Sequence, residues 1–201
     1  MSRSTFLRIV TGSLLTLVLM LSIAVSGRAS DDVRILKIRD DCDPATFNLV
    51  LNDPNACIGN GDTTFAEFIQ ELTADMKVDD WRYTPDRSKV RPGDAIVLDN
   101  RGGETHTFTK VAEFGGGFVP QLNTLAGNLA PRPECAQDLG NGNLAPQPPS
   151  ATNVFVKAGT TRQGPVAGSA DLPEGETKFQ CCIHPWMHVT VTVREKRNES
   201  H

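Results

Sequence analysis

The sequence predicts an all-β fold, an antiparallel β-sandwich preceded by a short helical segment. Short apolar stretches recur from Ala95 to the C-terminus, turn residues separate them, and the last stretch, Val189 to Val193, alternates strictly between valine and threonine. The composition agrees: 201 residues with 39% hydrophobic and 22% charged content suit one globular domain with an appendage, and exclude a long disordered chain. Twenty Lys and Arg against 24 Asp and Glu give a formal charge of -4, which lacks the basic footprint used to neutralise phosphates. Nucleic acid is therefore excluded as a partner.

The chain opens with Arg3 and Arg8, followed by an uncharged run from Leu14 to Val25. This is the core of a secretory signal, short for a bilayer-spanning helix, and small residues at Ser26, Gly27, Ala29 and Ser30 place the cut near Ala29. A retained anchor is the alternative, because the apolar run extends back to Ile9. Removal leaves no stable membrane insertion and places the mature chain in a periplasmic or extracellular compartment. It also removes three arginines, so the mature chain is more acidic still and favours a basic protein or a metal ion over an anionic membrane.

An exported chain keeps its thiols oxidised, and five cysteines leave one unpaired. Cys42 and Cys57 lie in a stretch rich in Pro, Asn, Asp and Gly with no His nearby, which reads as a local disulfide. Asp43-Pro44 and Asp53-Pro54 punctuate that stretch. Next comes a helix whose stripe is Phe65, Phe68, Ile69 and Leu72, capped by Asp62 or Thr63. Strands follow at Ala95 to Leu98, Thr105 to Val111, Asn153 to Val156, Glu176 to Cys182 and Val189 to Val193. Turns separate them at Pro92-Gly93-Asp94, Asn100 to Gly103 and Gly115 to Gly117. Residues 128–150 are too irregular for a strand and read as a surface insertion. The organisation is a signal peptide at 1–29, a disulfide-bearing segment with one short helix at 30–75, a β-sandwich at 76–195 and a charged tail at 196–201.

Chemistry concentrates in Phe179-Gln180-Cys181-Cys182-Ile183-His184-Pro185-Trp186-Met187, ahead of the last strand. A thiolate, an imidazole and a thioether stand within seven residues. Two His, one Cys and a long axial Met form the trigonal site of blue-copper centres. The second imidazole must come from upstream, and His106, after the Gly102-Gly103 turn, is the candidate.

On these residues the chain resembles the cupredoxins, whose members include plastocyanin, azurin and amicyanin. Cys181, His184 and Met187 reproduce the ligand loop of the amicyanin type, and Val90-Arg91-Pro92-Gly93-Asp94, an apolar strand, Asn100 and His106 resemble the approach to the family's first His ligand. The resemblance covers Met76 to Glu195. It implies a Greek-key sandwich with one copper ion cycling between Cu+ and Cu2+, held by His106, Cys181, His184 and Met187. It also implies electron transfer to a redox protein through a surface formed by His184, Pro185 and Trp186. Family members commonly carry Asn after the first His, where this chain has Thr107. Cys181 has the two-residue gap to His184 and is taken as the ligand. Cys182 then becomes available for a disulfide, with Cys135 one candidate, although four cysteines allow three pairings. His188 is expected to face solvent, and Trp81 and Trp186 to be packing residues.

Multicopper enzymes need further His clusters, and four His in the chain cannot supply them beside this centre. The expected class is thus a carrier and not an enzyme. A copper delivery, storage or sensory module is the alternative, and the ligands do not discriminate it.

Overall fold

The computed structural model describes residues 33–92, 94–162 and 172–194. The expected signal peptide and charged tail lie outside the described residues. Within them no helix is long and apolar enough to cross a membrane.

Two sheets form the sandwich. One orders as β2 (Arg82–Thr84), β1 (Val33–Arg39), β4 (Ala95–Asn100) and β9 (Thr161–Arg162). The other orders as β3 (Arg87–Val90), β11 (His188–Val193), β10 (Gly175–Gln180), β5 (His106–Val111) and β8 (Asn153–Val156). Most pairs are antiparallel, while β1 with β4 and β3 with β11 run parallel. The alternation in β11 does what its pattern demands: Val189, Val191 and Val193 are buried, and Thr190 and Thr192 are half-buried on the other face. Leu36, Ile38, Ile96 and Leu98 from the first sheet and Phe108, Val154, Val156 and Phe179 from the second share one core. The Tyr83 and Phe108 rings meet edge to face across it, 5.8 Å apart.

The region ahead of Met76 holds more than the one expected helix. β1 alternates like a strand, with Leu36 and Ile38 inward, and sits between β2 and β4. α1 (Pro44–Leu51) starts where Asp43 accepts the amides of Ala45 and Thr46, so Asp43-Pro44 is a helix start as well as punctuation. α2 (Phe65–Asp75) is the expected helix, but its cap is Thr64, in a capping box with Glu67. Thr63 cannot serve, because its amide donates to the Asp41 carbonyl and its hydroxyl to the Asp41 carboxylate. Phe68 and Leu72 are buried in the common core, with Phe65 and Ile69 partly so.

Residues 128–150 also depart from expectation. A two-stranded ribbon, β6 (Ala136–Gly140) and β7 (Asn143–Pro146), turns through Gly140, Asn141 and Gly142, all at positive φ. The short helix α3 (Pro120–Leu125) precedes it. Disulfides join Cys42 to Cys57 and Cys135 to Cys182, leaving Cys181 free.

Candidate metal centre

β10 ends at Gln180, and the chain leaves the sheet at Cys181 to make a tight loop before β11. The Cys181 amide donates to the Met187 carbonyl at 3.0 Å, and the Met187 amide donates to the His184 carbonyl at 3.0 Å. The Cys181 sulfur accepts from the amides of Thr107 and His184 at 3.4 and 3.5 Å. His106 opens β5, the strand beside β10, so its imidazole meets the loop from a second backbone.

The three strong donors converge. Cys181 Sγ lies 3.8 Å from His106 Nδ1 and 3.9 Å from His184 Nδ1, and the two nitrogens are 3.3 Å apart. A point equidistant from the three is about 2.1 Å from each, an ordinary metal–nitrogen bond length. His106 and Cys181 are 0% exposed and His184 is 2% exposed. Met187 is buried in the same core. One sulfur and two imidazoles, at this spacing and away from water, are suited to a copper ion.

The protons are arranged to match. Burial by itself would raise the Cys181 thiol, but hydrogen bonds from His106 and His184 and their charge outweigh it and bring the thiol well below its ordinary value. Burial would lower His106, yet its hydrogen bonds to Asp40 and Cys181 and their negative charges raise it to about 10. Burial would raise Asp40, yet the His106 contact and the amides of Gly103 and Glu104 hold it below the usual carboxylate range. Glu104 is raised by burial.

Thr107, standing where the family commonly has Asn, does tie the ligand loops. Its hydroxyl accepts the Cys182 amide at 2.7 Å while its own amide reaches the Cys181 sulfur. Tyr83 donates its hydroxyl to the Thr107 carbonyl, holding this strand to the opposite sheet. Asn100 accepts the Gly102 amide and donates to the Glu104 and Val156 carbonyls, which shapes the turn leading to His106.

The expected electron-transfer surface requires correction. His184 does not reach the surface, and Pro185 is buried too. The cause is the segment between β1 and β2, whose aromatic rings cover this end of the sandwich. Phe68 lies 6.4 Å and Trp81 6.5 Å from the His184 ring, and Phe47 from α1 stacks on Trp81 at 5.8 Å. Trp186 alone of the three is half-buried, 5.5 Å from His184. His188, expected to face solvent, is half-buried, with its ring stacked on Phe114 at 4.0 Å.

Asp40, Glu104 and the covering rings are not marked as site residues by local sequence. A charged residue just past an alternating strand, and a carboxylate two residues before a candidate ligand, are the only signals that point to them.

No protein-family model and no curated protein matches the chain. Solved structures of cupredoxins do. A purple cupredoxin from Nitrosopumilus maritimus is similar at 16% identity and TM-score 0.34, over 80% of this chain and 99% of that one. A reduced amicyanin variant is similar at 17% identity and TM-score 0.31, over 60% and 75%. Oxidised plastocyanin from Dryopteris crassirhizoma is similar at 17% identity and TM-score 0.26, over 57% and 89%. Identity and TM-score are low throughout, and the chemistry of the centre rests on this chain's own residues.

Proposed function

We propose that the protein is an exported mononuclear blue copper protein of cupredoxin type that carries single electrons between redox partners. The observation that carries this reading is the buried triangle of His106 Nδ1, Cys181 Sγ and His184 Nδ1, supplied by two strands' ends and sized for one cation. Met187, buried in the same core and on the same loop, would supply a fourth, weaker thioether donor. When bound, copper supplies a one-electron couple between Cu+ and Cu2+.

The chain's own residues prepare that couple. Cys181 offers a thiolate, and the loop's backbone bonds hold its sulfur against two amides. Because the ligands are set by the loop and by β5 within one core, they resist rearrangement when the charge at the centre changes. Phe68 and Trp81 exclude water from His184. Complete burial of the donors supports a carrier that keeps its ion over a delivery module that must release it.

Electrons would leave through Trp186, whose ring neighbours His184 and borders a groove lined also by Lys77, Asp79, Arg82 and Asp86. The net acidic chain would draw a basic redox protein towards it. The apolar run at 14–25 supports export.

Copper(II) added to the purified protein is expected to produce an intense visible thiolate-to-copper band and a reversible one-electron couple. Cys181→Ser is expected to abolish the band. Colourless copper-loaded protein, or a band that survives loss of Cys181, overturns the reading.

A further inference from the structure

Behind each histidine of the triangle stands a buried carboxylate, on the ring nitrogen turned away from Cys181. Asp40, just past the end of β1, is the closer. Its Oδ2 lies 2.7 Å from His106 Nε2, and both side chains are 0% exposed. The Asp40 carboxylate also accepts the Gly103 amide at 2.8 Å and the Glu104 amide at 3.2 Å. The fit depends on Gly102, where a Cβ would stand 1.8 Å from Asp40 Oδ2 and 2.4 Å from its Cγ. The turn before the ligand is thus a cradle for this one side chain. At the second histidine, Glu104 Oε2 is 3.4 Å from His184 Nε2 and accepts the Trp81 indole at 2.6 Å.

An imidazole that binds a cation through Nδ1 carries its proton on Nε2. A carboxylate that accepts this proton fixes the ring's orientation and makes Nδ1 a better donor. A fixed anion in a low-dielectric interior also favours the more positive of two metal states. Building on the copper reading, we infer that Asp40 is a positioning residue of the metal centre. It holds His106 with Nδ1 towards Cys181 and lowers the reduction potential, and Glu104 does the same more weakly at His184. β1, which local sequence assigns to no sheet, is thereby part of the centre.

The test compares copper-loaded Asp40→Asn, Glu104→Gln and, as an exposed control, Asp53→Asn. Loss of such a carboxylate partner costs tenfold to hundredfold in metal affinity. If the oxidised state bears that loss, Asp40→Asn raises the potential by about 60 to 120 mV, at 59 mV per tenfold for one electron. Glu104→Gln is expected to raise it less, and Asp53→Asn not at all. A second measurement uses the unaltered protein loaded with zinc, where the His106 Nε2 proton is expected downfield and slow to exchange. It needs neither a folded variant nor electron transfer. An Asp40→Asn potential equal to that of the control, or a rapidly exchanging Nε2 proton, overturns the inference. Absence of the copper band in the unaltered protein overturns the functional reading instead, and the zinc measurement still decides the role of Asp40.

Discussion

Phe68→Ala tests whether the covering segment is part of the fold or an appendage to it. Phe68 is 2% exposed, and its ring lies 4.8 Å from Trp81, 5.5 Å from Phe47, 6.0 Å from Trp186 and 6.4 Å from His184. Truncating a buried Phe to Ala costs ~3–5 kcal/mol, the upper end applying where neighbours cannot collapse into the space. Here they are pinned: Trp81 donates its indole proton to Glu104 at 2.6 Å, and the His184 amide is held by the Cys181 sulfur. The expected loss is therefore about 4–5 kcal/mol, which in a domain of this size lowers the melting midpoint on the order of 10 °C. Unfolding should be followed twice, by fluorescence of Trp81 and Trp186 and by the copper band, and the two curves should coincide. A loss below about 1 kcal/mol would refute the reasoning, as would a fluorescence transition that leaves the band intact.

Cys182→Ser should keep the copper band, since the sulfur at the centre is that of Cys181. Opening a bridge of sequence separation 47 should cost about 4 kcal/mol in urea unfolding. Thr107→Val strands the buried Cys182 amide and should cost ~1–3 kcal/mol while shifting the band, both measurable on the copper-loaded protein. For the metal-free protein, His106 is raised from 6.5 to about 10 and Cys181 is lowered well below 9.0. The raised His106 contributes stability that is complete below 6.5 and lost as pH climbs through about 10. The lowered Cys181 contributes stability that is complete above 9.0 and lost as pH falls through its folded value. Together they predict a plateau between 6.5 and 9.0 with a decline on either side, read from urea midpoints across pH; a continued rise above 9.0 would contradict the thiolate–imidazolium pair.

Much of the sandwich is legible in the chain. β4, β5, β8, β10 and β11 fall where alternating apolar residues put them, because a strand with one buried face writes its period of two into the sequence. α2 is legible for the corresponding reason at helical spacing, though its cap is not. The expected Thr63 and the observed Thr64 carry the same hydroxyl, and only the folded chain, where Asp41 engages Thr63, separates them. β1 and α1 carry usable local signals, in the inward Leu36 and Ile38 and in Asp43-Pro44, but a short strand flanked by charges does not announce its partners. Its parallel pairing with β4 is a property of the assembled sheet.

The three donors of the triangle are legible in the sequence: Cys181 and His184 share one short loop, and scarcity of histidine leaves His106 as the upstream imidazole. That these atoms meet as a triangle, and that Thr107 bridges the loops, comes from β5 lying beside β10. Tertiary structure alone decided what surrounds them. Asp40 reaches His106 across 66 positions, and the aromatic rings of the N-terminal segment cover His184, which the family resemblance would leave exposed. Periodicity and spacing record the environment of residues within one element. A hydrogen bond or a covering ring from a distant segment exists only once the sheets have paired, since it is the close packing of the shared core that brings such groups within reach of one another.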